Sequence, residues 1–205
     1  MIRDIPLIAF DGTLSSGKTT LIYAVASELK ANGMNCVVLS EPARESPLME
    51  DIVLHNNGTF DLPLETDLFA LHMIQCVRAT RVGRLIIADR TPVSTMAYTR
   101  LLIHPSNEME QDWFLSMEQF ALHWSRLYDI VFYCCDHFNI DLEQDPTRSK
   151  YVSMQQQVDD MTRKEYLKSG IELIDIPAGL TLDERKRFVL DALKSGLKLG
   201  ANELF

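Results

Sequence analysis

Residues Gly12-Thr13-Leu14-Ser15-Ser16-Gly17-Lys18-Thr19-Thr20 carry the spacing glycine, four residues, then Gly-Lys-Thr, the pattern of a loop that wraps a phosphate. Gly12 and Gly17 let the backbone fold closely around an anion, so the amides of Ser15, Ser16, Gly17, Lys18 and Thr19 would point at the β-phosphate of a nucleotide. Lys18 would supply a mobile charge to the β- and γ-phosphates, and Thr19 a hydroxyl to Mg²⁺. The helix that opens through Thr20 would aim its positive end at the same group. The plainer alternative is a glycine turn between strand and helix with Lys18 solvated, but such a turn needs one glycine, not this pattern.

A phosphate cradle does not distinguish a phosphotransferase from a molecular switch, so the other polar residues must decide. In doubly wound sheets a site lies beyond the carboxyl ends of the strands, and Asp11, Glu41 and Asp89 each close an apolar run there. Asp89 follows Leu85-Ile86-Ile87-Ala88 and is expected beside Thr19 in the Mg²⁺ shell, or else as a cap on the next helix. Arg90 presents a fork suited to an acceptor hydroxyl or phosphate. Glu41, in Glu41-Pro42-Ala43-Arg44-Glu45, is read either as the group that takes a proton from an attacking hydroxyl or as a solvated strand-end glutamate. Arg44 binds the substrate or pairs with Glu45.

Two loops complete the candidate site. Asp145-Pro146-Thr147-Arg148-Ser149-Lys150 has the composition of a flap, part of a lid around residues 136–164. From it Arg148 would stabilise the transferring phosphoryl group, with Lys150, Arg163 and Lys164 as further candidates and a solvated basic loop as the alternative. Pro177, in Ile176-Pro177-Ala178-Gly179, has the place and composition to wall an adenine ring.

The elements that must hold these residues are legible in the hydropathy pattern. Leu7–Asp11, Cys36–Ser40, Leu85–Asp89, Ile130–Cys134 and Ile171–Ile176 are continuously apolar rather than alternating, as in parallel strands buried on both faces. Helical patterns separate them: Lys18–Ala31 ending at Asn32-Gly33, Ser46–His55, Leu64–Arg81, Pro92–His104, Glu108–Leu127, Met154–Lys168 and Thr181–Lys194. Thr181-Leu182-Asp183-Glu184 reads as a capping box. In the fifth helix Trp113, Phe114, Met117, Phe120 and Trp124 are expected on the inner stripe. The fold expected is α/β, a doubly wound five-stranded parallel sheet with helices on both faces.

The 205 residues show no repeat or linker and are read as one domain, 1–205. A net charge of -9 gives no global basic field for a polyanion, although basic residues between Arg148 and Lys168 leave room for a local patch. Cys36, Cys76, Cys134 and Cys135 have no metal-ligand spacing; Cys134 and Cys135 read as small buried hydrophobes, which suits a reducing compartment. Without a signal-peptide pattern or a bilayer-length apolar run, a cytoplasmic protein without membrane contact is expected.

With these residues placed, the chain resembles the small P-loop kinases of nucleosides and nucleotides. Ser15-Ser16-Gly17-Lys18, Glu41-x-x-Arg44 and Asp145-Pro146-Thr147-Arg148-Ser149 followed by Val158-Asp159 are most similar to the NadR-like, AAA-type branch. Asp89-Arg90-Thr91 with Ser94 and Ala97-Tyr98 is similar to the thymidylate kinase segment that binds the acceptor. Thymidylate kinases usually carry Asp at the position of Leu14 and Arg at that of Ser40, groups that serve a monophosphate acceptor. Deoxynucleoside kinases match Leu14 and Glu41 but usually have Glu-Arg-Ser where this chain has Asp89-Arg90-Thr91.

The resemblance implies an ATP- and Mg²⁺-dependent transfer of the γ-phosphoryl group to a hydroxyl of a nucleoside- or nucleotide-type acceptor. Related kinases are commonly dimers, which makes a homodimer one expected assembly. Two other readings stay open: a kinase acting on a modified hydroxymethyl base within phage DNA, and a regulatory P-loop ATPase without a small acceptor. The acidic net charge counts against the first. No Asn-Lys-x-Asp guanine-reading motif supports the second.

Overall fold

The computed structural model describes residues 4–55, 59–138 and 154–197. Five strands, β1 (Leu7–Asp11), β2 (Cys36–Leu39), β3 (Leu85–Asp89), β4 (Ile130–Cys134) and β5 (Leu173–Ile176), form one sheet in the order β2-β3-β1-β4-β5. Every pairing is parallel, with Ala9 opposite Ala88 on one side and Val131 on the other.

Side chains leave alternate faces of a strand, so each apolar run feeds two cores. Ile8, Phe10, Ile87 and Phe132 meet Leu21, Val25 and Leu29 of α1 (Lys18–Ala31) and Val189 and Leu193 of α7 (Leu182–Gly196). Leu7, Ala9, Ile86, Ala88 and Val131 meet the opposite layer. There Cys76 and Ala79 come from α3 (Leu62–Ala79), Val93 from α4 (Pro92–Leu102) and Tyr166 from α6 (Gln155–Ser169). Each fully buried Leu, Ile or Phe contributes about 1.5–3 kcal/mol. That exceeds the ~0.7 kcal/mol per residue that separates ordinary helix propensities, so burial rather than propensity sets the layers.

The chain leaves β1 towards the α1 face and leaves its neighbour β3 towards the α4 face. Loops after adjacent strands therefore diverge, and a crevice opens at the carboxyl ends of β1 and β3. α2 (Pro47–His55) and α3 follow β2 through a short 3-10 turn, Pro42–Arg44, and α5 (Glu108–Ser125) returns the chain to β4.

Local chemistry sets the helix ends. Asp61 accepts from Leu64 N at 2.9 Å and starts α3 at Leu62, two residues before the hydropathy pattern begins. Thr181 and Glu184 close the expected capping box on α7, and Asn32 and Gly33 (φ +85°) end α1 as the sequence indicated. β5 starts at Leu173 rather than Ile171. On α5 the buried positions are Phe114, Met117, Ala121 and Ser125, a spacing of three and four. Phe120 lies off that stripe and is 44% exposed, against the expectation, and its ring packs on Phe69 and Trp124. Cys135 is likewise only half-buried, just past the end of β4, where Arg163 Nη2 donates to its sulfur. Among the described residues no helix is long and apolar enough to cross a membrane.

Glu65 is a buried charge risk between α3 and α4. Its Oε2 accepts from Thr99 Oγ1 at 3.0 Å, its Oε1 has no partner among the described residues, and burial pushes its carboxyl up to about 8. Below pH 4.5 the group is protonated in folded and unfolded chains alike; between 4.5 and about 8 only the unfolded chain releases the proton, so stability falls as pH rises through that window. Glu65→Gln keeps the shape without the ionisable proton. It is expected to raise Tm by several degrees at pH 8 and to leave it unchanged at pH 4.5, measured by scanning calorimetry.

Candidate active site

Three left-handed or extended-positive residues shape the loop after β1: Gly12 at φ +136°, Ser15 at +56° and Gly17 at +74°. Gly12 passes so close to β4 that a Cβ on it would lie 2.6 Å from the Cys134 carbonyl oxygen. A Cβ on Gly17 would lie 2.7 Å from both Arg185 Nη1 and the Phe138 ring. The two glycines of the motif are thus required by backbone geometry and by neighbours together.

The loop's carbonyls are taken by donors. Lys18 Nζ donates to Gly12 O at 3.0 Å, to Thr13 O at 2.6 Å and to Ser16 Oγ at 3.2 Å. Leu14 O accepts from Gln155 Nε2 (2.9 Å), Ser15 O from Phe138 N (2.9 Å) and Ser16 O from Arg185 Nη2 (2.9 Å). Among the described residues the amides from Thr13 to Thr20 donate to no protein acceptor. A row of amides without protein partners at the positive end of α1 is a cradle for an anion. Burial, then the charge of Arg90, pulls the Lys18 ammonium below its ordinary value, and an anion bound beside it would oppose that shift.

Thr19 Oγ1 donates to Asp89 Oδ2 at 2.6 Å, as the strand-end reading expected. Asp89 Oδ1 is buried with no partner among the described residues, and burial and the neighbouring Glu41 charge raise its pKa. A buried carboxylate oxygen without a hydrogen-bond donor, next to a hydroxyl, fits a hard divalent cation that completes its shell from phosphate oxygens and water. Among the described residues no cluster of three or more His, Cys, Asp or Glu forms a metal site by itself.

Arg90 and Glu41 meet across the crevice. Arg90 Nε donates to Glu41 Oε1 at 2.6 Å and Arg90 Nη1 to Gly12 O at 3.3 Å, while the guanidinium carbon stands 5.3 Å over the Tyr98 ring. Arg90 adopts φ +78°, a conformation costing a non-glycine residue on the order of 1–3 kcal/mol, and these contacts hold it there. Burial alone would raise the Glu41 carboxyl; the charges of Arg90 and then Lys18 outweigh it and hold the group at about 2. Arg44, expected to pair with Glu45 or bind substrate, instead donates to Glu41 Oε2 at 3.3 Å from a half-exposed side chain. Glu45 is taken by Ser40 and by Gln75 Nε2 at 2.7 Å.

Asp11 serves the architecture. Its Oδ1 accepts from Gly12 N at 2.8 Å, and its Oδ2 accepts from Tyr166 Oη at 2.5 Å and Thr91 Oγ1 at 3.4 Å. Thr91 and Ser94 form the capping box of α4. Ser16 is buried and Ser15 half-buried in the loop, whereas the Thr20 side chain is exposed and offers the site only its amide. Pro177 is exposed and makes no described contact with the loop; its neighbour Gly179 donates to Asp136 Oδ1 at 2.8 Å.

Arg148 and Lys150 lie outside the described residues, as does most of the expected lid. Of its far half, Gln155 to Lys164 is helix packed on the body. Arg163 is spent on Asp159 (3.3 Å) and Asp175 (3.0 Å) and stacks 4.2 Å over Tyr133, which removes it from the expected phosphoryl-binding set; Lys164 is exposed. The sequence reading missed the outer partners of the loop, Phe138, Gln155 and Arg185, and the Tyr166 contact to Asp11.

A family model described as AAA domain (AAA_28) matches residues 7–185. The chain belongs to that family. Among its relatives, a thymidylate kinase of Bacillus licheniformis is 28% identical over 145 residues, covering 67% of this chain and 64% of the relative. A thymidylate kinase of Maridesulfovibrio salexigens is 34% identical over 100 residues, 44% of this chain and 46% of the relative. The chain thus spans about two thirds or less of the curated relatives it matches. In structure, the family member resembles a NadR protein in complex with NR (TM-score 0.67, 14% identity, 96% of this chain and 52% of the other). It also resembles thymidylate kinase from Candida albicans (TM-score 0.59, 18% identity, 94% and 92%). These likenesses establish the doubly wound sheet of the P-loop nucleoside and nucleotide kinases.

Gly12→Ala forces a methyl group against the Cys134 carbonyl in a backbone region that disfavours it. The variant is expected to lose more than about 1 kcal/mol of stability by denaturant titration, and to lose binding of nucleoside triphosphate by calorimetry.

Proposed function

We propose that this protein is an ATP- and Mg²⁺-dependent phosphotransferase that moves the γ-phosphoryl group to a hydroxyl of a nucleoside- or nucleotide-type acceptor. The observation that carries the reading is the meeting, in one crevice, of the amide row with the Thr19–Asp89 pair and the Glu41–Arg90 pair. Kinase relatives and the shared fold support it.

The roles we assign rest on this geometry and, for Arg148 and Pro177, on the sequence. The loop amides and Lys18 hold the triphosphate, and Lys18 exchanges its bonds to Gly12 and Thr13 for phosphate oxygens. Thr19 and Asp89 would hold Mg²⁺, which when bound neutralises charge on the phosphates. Glu41 accepts the hydrogen bond of the attacking hydroxyl and orients it in line with the γ-phosphorus. As the new O–P bond forms and the bond to the β–γ bridging oxygen breaks, the hydroxyl proton passes to Glu41 and ADP departs. Transfer of this kind is mostly positioning and charge neutralisation, so a base as weak as Glu41 suffices. Arg90 positions Glu41 and the acceptor, Arg148 is assigned to the transferring group, and Pro177 to the wall of the adenine site.

The surroundings of Glu41 favour an acceptor without a phosphate at that end. Ser40 stands at the position where thymidylate kinases usually carry Arg and bonds Glu45, and the Arg90 charge is already matched by Glu41.

The reading is tested with radiolabelled ATP against nucleosides, nucleoside monophosphates, ribosyl-nicotinamide and an oligonucleotide carrying a hydroxymethylated base. One of the small acceptors is expected to drive ADP release, and Lys18→Ala is expected to abolish triphosphate binding. No acceptor-dependent release, or retained affinity in Lys18→Ala, overturns it. Because Glu41 is held near 2, kcat/KM is expected to show no acidic limb from this residue above about pH 4, and Glu41→Gln to lower kcat about 10²-fold or more. An acidic limb near pH 5 that vanishes in Glu41→Gln would contradict the Glu41–Arg90 pairing.

A further inference from the structure

The phosphate loop is held from outside by a buried cation to which no role has yet been given. Arg185, the fourth residue of α7, is 2% exposed and shares its helix face with Val189 and Leu193, both fully buried. A guanidinium costs several kcal/mol to bury unless it is paired and hydrogen-bonded, so its partners matter. Nη2 donates to the Ser16 carbonyl at 2.9 Å, Nε lies 3.8 Å from Asp136 Oδ2, and the guanidinium carbon stands 5.6 Å over the Phe138 ring. Asp136 in turn accepts from Gly179 N through its other oxygen.

The Ser16 carbonyl and the Gly17 amide belong to one planar trans peptide unit, in which C=O and N–H point in opposite directions. A donor that fixes the carbonyl towards α7 therefore fixes the next amide towards the cradle. The left-handed conformation of Gly17 and the absence of space for a side chain there, with Arg185 Nη1 2.7 Å from a notional Cβ, are the same constraint seen from the other side.

We propose that Arg185 is a positioning residue of the phosphate loop: its guanidinium aims the Gly17 amide at a bound polyphosphate and adds a fixed positive charge behind it. The proposal rests on the nucleotide-binding reading of the loop. It predicts that loss of the guanidinium is felt by the phosphates and not by the base, and that a lysine, able to donate to the same carbonyl, restores part of the loss.

The test measures binding of inorganic tripolyphosphate and of ADP, each with Mg²⁺, by calorimetry to wild type, Arg185→Met and Arg185→Lys, together with the Gly17 amide resonance in each. Arg185→Met is expected to weaken both ligands by about tenfold or more, the size of a lost charged hydrogen bond. It should also shift the Gly17 amide, with Arg185→Lys intermediate on both readouts. Affinities within twofold of wild type in Arg185→Met, or equal losses in both variants that track their fall in Tm, overturn the proposal. Wild-type protein that binds neither ligand overturns the nucleotide reading instead; the Gly17 resonance then still decides, an unmoved signal in Arg185→Met refuting the role of Arg185 and a selective shift supporting it.

Discussion

Charge balance in a water-poor crevice is the constraint on which the site depends. Lys18 and Arg90 face Asp11, Glu41 and Asp89, all of them buried or nearly so, at the carboxyl ends of three adjacent strands. In such surroundings an unpartnered charge is costly, so each group takes a fixed partner. Asp11 is taken by Gly12, Thr91 and Tyr166, and one oxygen of Glu41 by Arg90. One oxygen of Asp89 keeps no partner among the described residues; the cations hold Glu41 low, whereas burial and then the Glu41 charge hold Asp89 high. By formal count the three carboxylates outnumber the two buried cations by one before any ligand arrives. That is a poor host for a naked polyphosphate and a suitable one for a polyphosphate carrying a divalent cation.

The inner half of this arrangement was legible in the sequence because it is local. Gly12 to Thr19 are consecutive, and Asp89 and Glu41 end apolar runs, so strand order alone brings them together. The outer half was not, because its partners are remote in the chain: Phe138, Gln155 and Arg185 reach the loop over more than a hundred residues. Arg185 nonetheless left a mark, standing one turn before Val189 and two before Leu193 on what is otherwise an apolar stripe. Glu65 and His72 interrupt the buried stripe of α3 in the same way. A charged residue in register with a core stripe is a sign of an interior partner that periodicity alone cannot name.

The same distinction applies to the segment expected to close over the site. Composition indicated a polar stretch but could not say where the helix after it is held. The tertiary ties of α6 do: Gln155 to the loop, Asp159 to Tyr133, Glu165 to Arg100 and Tyr166 to Asp11 anchor this helix to four separate elements. Because Gln155 bonds the Leu14 carbonyl, the first turn of the helix is tied to the phosphate loop itself.

The hairpin of α2 and α3 shows the opposite economy. Among the described residues no hydrogen bond or ion pair joins it to Gly12–Thr20; it touches the crevice through Ser40, Glu45 and the turn after β2. The phosphate loop and this hairpin are consequently separate pieces of sequence, so mutation in one need not disturb the other. Substitutions confined to α2 and α3 can therefore reshape that side of the crevice while the nine residues Gly12–Thr20 keep their own contacts.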